Sequence, residues 1–105
     1  MTSEFVAYVG PPDLHDGTIL RVESTQDTVT VLVESYERRR FALEFHGVTH
    51  QEMNAPEGMV LYALIEMRTP PPRHKYVFAN WEYDDPARLE IEAEGFDVMD
   101  IEQRA

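Results

Sequence analysis

His15 and Asp16 are the first neighbouring residues in the chain whose side chains could support chemistry. An imidazole beside a carboxylate is common in metal sites and in general acid–base catalysis. The pair follows two prolines and precedes Gly17, which is typical of a turn that leads into a β-strand. We therefore expect the Asp16 carboxylate to accept local backbone N–H bonds, Gly17 to supply unusual dihedral angles, and His15 to pack on a sheet edge.

His46 and His50 have the spacing that places two metal ligands on one face of a helix. On an extended chain the same spacing separates them by about 13 Å, which is too far to share an ion. A small metal-dependent enzyme that uses His15, Asp16 and His46 is therefore a second hypothesis, and it requires distant segments to meet. The remaining histidine, His74, is expected to be solvated.

Glu90, Glu92 and Glu94 are the other candidate binding residues. They occupy alternate positions of a predicted strand, so their carboxylates would share one face at intervals of about 6.7 Å. Most such rows are solvated outer faces. As a functional site, the row would be a docking face for a basic protein, and together with His15 and Asp16 it makes up the predicted binding residues.

Several kinds of chemistry are excluded or unsupported. The chain has no cysteine, which excludes disulfides, thiol nucleophiles and thiolate metal sites. Its five glycines are scattered singly and form no phosphate-binding loop, and its serines lie in no glycine-flanked nucleophile turn. We expect no catalytic residue, no bound metal and no cofactor.

Alternation of apolar and polar side chains is the dominant pattern. The residues at 28–34 place Val29, Val31 and Val33 on one face, and the preceding segment 18–24 is expected to pair with them as a hairpin. In the next predicted strand, 39–48, Phe41, Leu43 and Phe45 are expected to face inward. The segment 88–99 alternates in the same way, which favours a single strand over a helix.

Three other segments are less regular. Residues 59–67 are apolar almost throughout and fit a central strand or a short buried helix; the flanking turn residues favour a strand. Residues 75–83 alternate, with Val77, Ala79 and Trp81 sharing one face. The first residues, 3–10, are expected to form a short helix against the sheet.

These segments predict one all-β domain over residues 1–105, or a β-rich domain with one short N-terminal helix. About six strands with short connections would form a mostly antiparallel curved sheet, a sandwich or an open barrel. A length of 105 residues suffices for one apolar core.

The order of "LHDGTILRVE", "TVTVLVES" and "FALEFHGVTH" resembles small bacterial domains that begin with a Phe/Leu-His-Asp strand opening. Some of those domains are immunity proteins of polymorphic toxin systems, and many are uncharacterised. The resemblance covers about residues 12–50 and extends to the late segment "LEIEAEGFDV". It implies a non-enzymatic binding domain, with His15 and Asp16 as its landmark.

The net charge of −11 is the strongest global signal. Such a field repels nucleic acid and anionic lipid and speeds encounter with basic proteins. We expect a cytoplasmic protein-binding module, plausibly of immunity type against a basic toxin, since the N-terminus has no secretion-signal pattern. A homo-oligomer that pairs two copies through an aromatic outer face around Tyr62 or Phe78 is a further alternative.

Overall fold

The computed structural model describes residues 5–10, 14–70, 73–82 and 86–101. Regular secondary structure in these ranges consists of β-strands, which confirms the predicted all-β class. No helix that could cross a membrane is present among the described residues. The nine described strands are β1 (Phe5–Val9), β2 (Thr18–Ser24), β3 (Thr28–Glu34), β4 (Arg40–His46), β5 (His50–Asn54), β6 (Leu61–Met67), β7 (His74–Asn80), β8 (Arg88–Ala93) and β9 (Gly95–Asp100).

The strands form two antiparallel sheets rather than one continuous sheet. Sheet A has the order β1-β6-β7-β8-β5, and sheet B has the order β2-β3-β4-β9. Their buried side chains belong to one apolar cluster, so the arrangement is a sandwich of two layers around a shared core.

One long ribbon crosses from sheet B to sheet A. β4 pairs with β9 in sheet B, and the continuations of the same two chain segments, β5 and β8, pair in sheet A. The chain bends between the sheets at Gly47, which has a φ of 63°, and at Glu94, whose amide donates to the His46 carbonyl. The prediction of a single strand over 88–99 is therefore wrong: the core-facing positions are Leu89, Ile91 and Ala93 before the bend and shift to Phe96 after it, where the strand has a different partner.

Alternation correctly identifies much of the core. Val29, Val31 and Val33 are completely buried, as are Leu89 and Ile91. The predicted hairpin of β2 and β3 is confirmed. Within β2, a bulge after Ile19 shifts the register, so Ile19 and Val22 both contact the core although they are three positions apart.

Two apolar segments fold differently from the expectation. The predicted N-terminal helix is wrong over its described part, where β1 is an edge strand paired with β6; Ser3 and Glu4 lie outside the described residues. β7 buries Tyr76 and Phe78 and turns Val77 outward, so Phe78 does not lie on an outer face. Both faces of β7 are apolar, and the larger aromatic rings occupy the core because they bury more apolar surface.

Phe45 joins the two sheets at the centre of the core. Its ring is completely buried and its centroid lies 5.2 Å from that of Tyr76 and 5.9 Å from that of Phe78, both in sheet A. Phe96 of sheet B completes the group at 5.2 Å. Burial, followed by the nearby Glu66 carboxylate, raises the pKa of Tyr76 to about 12, so its phenol stays protonated in neutral solution.

Phe45→Ala is expected to lower the free energy of unfolding by about 3–5 kcal/mol, because it removes the ring that both sheets share. Urea unfolding followed by far-ultraviolet circular dichroism measures the change. Tyr36→Ala is the control, since Tyr36 is 80% exposed and its replacement should alter stability by less than about 0.5 kcal/mol. Equal stability of the two variants would contradict the central role of Phe45.

Candidate functional site

The predicted row of glutamates is divided and largely ion-paired. Glu90 and Glu92 lie on the outer face of β8, with Lys75 Nζ 3.7 Å from a Glu90 oxygen and Arg73 Nη1 3.8 Å from a Glu92 oxygen. Arg88 also donates to Glu90, and this hydrogen bond raises the pKa of Arg88. Glu94 lies outside the strand, at the bend beside Gly47. Much of the negative charge of this face is therefore already matched.

The histidines do not form a common site. His46 Nε2 lies 2.7 Å from Asp97, and His50 Nε2 lies 3.4 Å from Glu52. His74, predicted to be solvated, is half-buried and lies 2.6 Å from Glu66. In the ranges that the structure describes, no group of three or more His, Asp or Glu side chains is placed to hold a metal ion. The combination of His15, Asp16 and His46 is not brought together.

The turn that carries His15 is fastened at both ends. Leu14 is buried in the core, and its carbonyl accepts the Gly17 amide at 2.9 Å. The Asp16 amide donates to the Leu61 carbonyl at 2.9 Å, and the Leu61 amide donates to the Gly17 carbonyl at 2.7 Å. Backbone bonds thus fix the turn against the beginning of β6.

The unusual dihedral in this turn belongs to Asp16, not to Gly17 as predicted. Asp16 has a φ of 69°, a left-handed conformation that Asp and Asn tolerate better than most residues. Gly17 is required for space instead, because a Cβ there would lie 3.1 Å from both the Leu14 carbonyl oxygen and a Val33 methyl group. The expectation of a structured turn is confirmed, but Asp16 supplies the unusual dihedral angle and Gly17 the space.

Four side chains converge above the turn, and we refer to His15, Asp16, Tyr62 and Trp81 as the aromatic cluster. The His15 ring centroid lies 5.5 Å from each of the Tyr62 and Trp81 centroids, and those two rings are 5.3 Å apart in a T-shaped arrangement. Trp81 Nε1 donates to Asp16 Oδ1 at 2.7 Å. The Asp16 carboxylate therefore binds an indole rather than the local backbone amides that the sequence suggested.

The geometry also fixes the orientation of His15. Its Nδ1 lies 2.9 Å from the backbone carbonyl oxygen of Tyr62. Because a carbonyl only accepts hydrogen bonds, Nδ1 carries the proton, which leaves Nε2 as the acceptor of the neutral ring. Nε2 is 3.9 Å from Asp16 Oδ2, beyond hydrogen-bond distance. His15 and Asp16 are thus neighbours with separate partners.

The aromatic cluster is exposed and adjoins a small cavity. Trp81 is 46% exposed and Tyr62 is 42% exposed, although hydrogen bonds hold the turn and the indole in place. A cavity of about 140 Å³ opens beside them, with walls that include Leu14, Tyr62 and Leu64. Fixed, half-exposed aromatic rings beside an apolar recess are typical of binding anchors rather than of core packing.

Sequence reasoning identified His15 and Asp16 but missed their connection to Tyr62 and Trp81. Trp81 is 65 positions from Asp16, and the local pattern marks it only as one member of an alternating strand. The cluster forms because Trp81 follows the end of β7 and its amide donates to the Val60 carbonyl, next to the residue that begins β6. This long-range pairing leaves no local signal in the chain.

Comparisons with protein-family models, curated protein sequences and solved structures found no match to this chain.

Replacements of Asp16 should separate backbone strain from the indole hydrogen bond. Asp16→Asn keeps an acceptor and a tolerated left-handed residue, so we expect a change in the free energy of unfolding below about 0.5 kcal/mol. Asp16→Ala loses both and should cost about 1.5–3 kcal/mol. Urea unfolding followed by the fluorescence of Trp81, the single tryptophan, measures both values. Alanine and asparagine variants of equal stability would contradict the assignment.

Proposed function

We propose that this chain is a non-catalytic protein-binding domain whose aromatic cluster receives a basic side chain of its partner. The observation that carries the proposal is the convergence of two half-exposed aromatic rings, a histidine and a carboxylate from three separate segments. The resulting surface is fixed before binding, so little conformational freedom would be lost when a partner arrives.

Charge around the aromatic cluster favours a basic ligand. Three segments build the cluster: 14–20, 57–63 and 76–82. They contain no lysine or arginine, whereas Asp16, Glu57 and Glu82 supply carboxylates. The whole chain carries a net charge of −11. Long-range attraction would therefore bring a basic partner to the molecule, and the local carboxylates would select its cationic side chains.

The rings and the Asp16 carboxylate suit different parts of one ligand. A guanidinium or ammonium group above an indole or phenol ring gains about 0.5–1 kcal/mol at an exposed site. The apolar stem of the same arginine or lysine would contact the ring edges and the adjoining recess, whose walls include Leu14 and Tyr62. Such amphipathic side chains combine both requirements.

The wider hypothesis is an immunity-type protein of the cytoplasm that neutralises a basic toxin. The acidic charge and the resemblance of the segment around His15 to small bacterial immunity domains support it. The ion-paired outer face of β8 is less suited to be the centre of such an interface, because Lys75, Arg73 and Arg88 reduce the negative charge that a basic partner would meet there.

The cationic specificity of the aromatic cluster can be measured with a matched pair of small ligands. N-acetylarginine amide is expected to produce a saturable change in Trp81 fluorescence at millimolar concentration, and N-acetylcitrulline amide, which has the same stem without the charge, is not. Asp16→Asn should weaken the arginine ligand while leaving the fold intact. An identical response to both ligands, or no effect of Asp16→Asn, would contradict a cation site.

The proposal of a protein partner is tested by asking whether a basic protein is encoded beside the gene for this chain and by mixing the two proteins. We expect a complex that survives about 300 mM salt, where the Debye length is below 8 Å, and that blocks toxicity in co-expressing cells. Trp81→Ala and Tyr62→Ala should each weaken binding at least about thirtyfold, as anchor residues do. Tyr36→Ala is the control, because Tyr36 is exposed but lies outside the cluster.

Three results would count against this proposal: a complex lost at that salt concentration, a complex weakened by Glu92→Gln but not by Trp81→Ala, or the absence of a basic neighbour. The second result would transfer the interface to the outer face of β8. Sedimentation velocity of the isolated chain tests the alternative of self-association. If the chain is a dimer and Tyr62→Ala makes it a monomer, the aromatic cluster is the dimer interface instead.

A further inference from the structure

A second cavity, of about 300 Å³, lies at the far end of β6 and has a different chemistry. The residues that line it include Arg68, Arg73 and His74, together with the apolar residues Val6 and Met67. A volume of this size is at the lower end of the range for small-molecule sites. The cavity is separated from the aromatic cluster by the length of β6, since Tyr62 and Arg68 are about 20 Å apart along an extended strand.

Neither arginine of this cavity forms a hydrogen bond to a carboxylate of a described residue. Arg68 is exposed and forms no ion pair with any described residue. The nearest carboxylate partner of Arg73 is Glu92, at 3.8 Å, which is too long for a hydrogen bond. Elsewhere, Arg21 and Arg40 have carboxylate partners at 3.2 and 3.3 Å. Two guanidinium groups that lack such a hydrogen bond to a described carboxylate therefore border one cavity.

Glu66, which also borders the cavity, already has a partner. Its Oε2 lies 2.6 Å from His74 Nδ1, so part of its hydrogen-bonding capacity is used within the protein. The His74 ring stacks on Tyr76 with centroids 5.9 Å apart, which fixes the pair from the core side. The cavity therefore combines two guanidinium groups with one carboxylate that is engaged by histidine.

We infer that this cavity, the arginine cavity, binds a small organic anion through Arg68 and Arg73. The planar guanidinium group donates two parallel hydrogen bonds to a carboxylate or a phosphate, which makes paired arginines a common recognition device for oxyanions. Val6 and Met67 would contact the apolar part of the ligand. The site is independent of the aromatic cluster and does not rest on the proposed function.

Phenyl phosphate and benzoate are suitable probes, because each carries one oxyanion on the same apolar ring. When the ¹⁵N-labelled protein is titrated, at least one of the two probes should produce saturable amide shifts centred on Met67, Thr69 and His74. Arg68→Gln and Arg73→Gln should each weaken that ligand at least about tenfold, the loss expected for one charge-assisted hydrogen bond. The stronger probe identifies the oxyanion as phosphate or carboxylate.

Arg38→Gln is the matched control. Arg38 lies in the turn before β4, so its replacement removes the same charge at a different place. It should leave the affinity unchanged, and well-dispersed spectra of all three variants would show that they fold. Shifts that do not saturate with either probe, or an equal loss of affinity in Arg38→Gln, would overturn the site. Binding of N-acetylarginine amide near Trp81 is measured in parallel, so that the aromatic cluster and the arginine cavity are tested independently.

Discussion

A short run of backbone hydrogen bonds between residues 16–19 and 58–61 holds the two sheets in register at one corner. The Ile19 amide donates to Met59 and the Gly58 amide to Ile19, next to the two bonds that fasten Asp16 and Gly17 to Leu61. Buried backbone groups require such partners, so these bonds hold the beginning of β2 next to the beginning of β6. The same bonds place His15 beside Tyr62, which makes the aromatic cluster a by-product of joining the sheets.

The charges differ between the outer face of sheet A and the corner around Asp16. Most of the positive charge on sheet A lies on its outer face, where Lys75 and Arg88 lie against Glu90. These exposed pairs contribute little to stability, since pairs of this kind are worth between zero and about 1 kcal/mol. Their larger effect is local neutrality, which leaves the corner around Asp16 as a surface that carries carboxylates without matching cations.

The sequence predicts well what depends on neighbouring side chains and poorly what depends on strand exchange. Val29, Val31 and Val33 identified β3 and its buried face, because a period of two is imposed by the strand itself. The passage from β8 to β9 has only a weak signal, the shift of the core-facing positions from Ala93 to Phe96 across the bend at Glu94, where the partner strand changes. For the site, the turn at His15 was recognisable from its turn residues, whereas Trp81 was connected to it only through the three-dimensional pairing of distant strands.

The two cavities have a common structural origin at the ends of β6. The middle of this strand lies between β1 and β7 and is fully hydrogen-bonded, with Leu64 buried in the core. Beyond its paired ends, Leu61 and Met67, residues of the adjoining turns border the two cavities. Binding surfaces concentrate where a rigid scaffold holds such turns. A carboxylate with aromatic rings at one end and two arginines at the other would therefore let a single strand present sites of opposite preference, each supported by the same core.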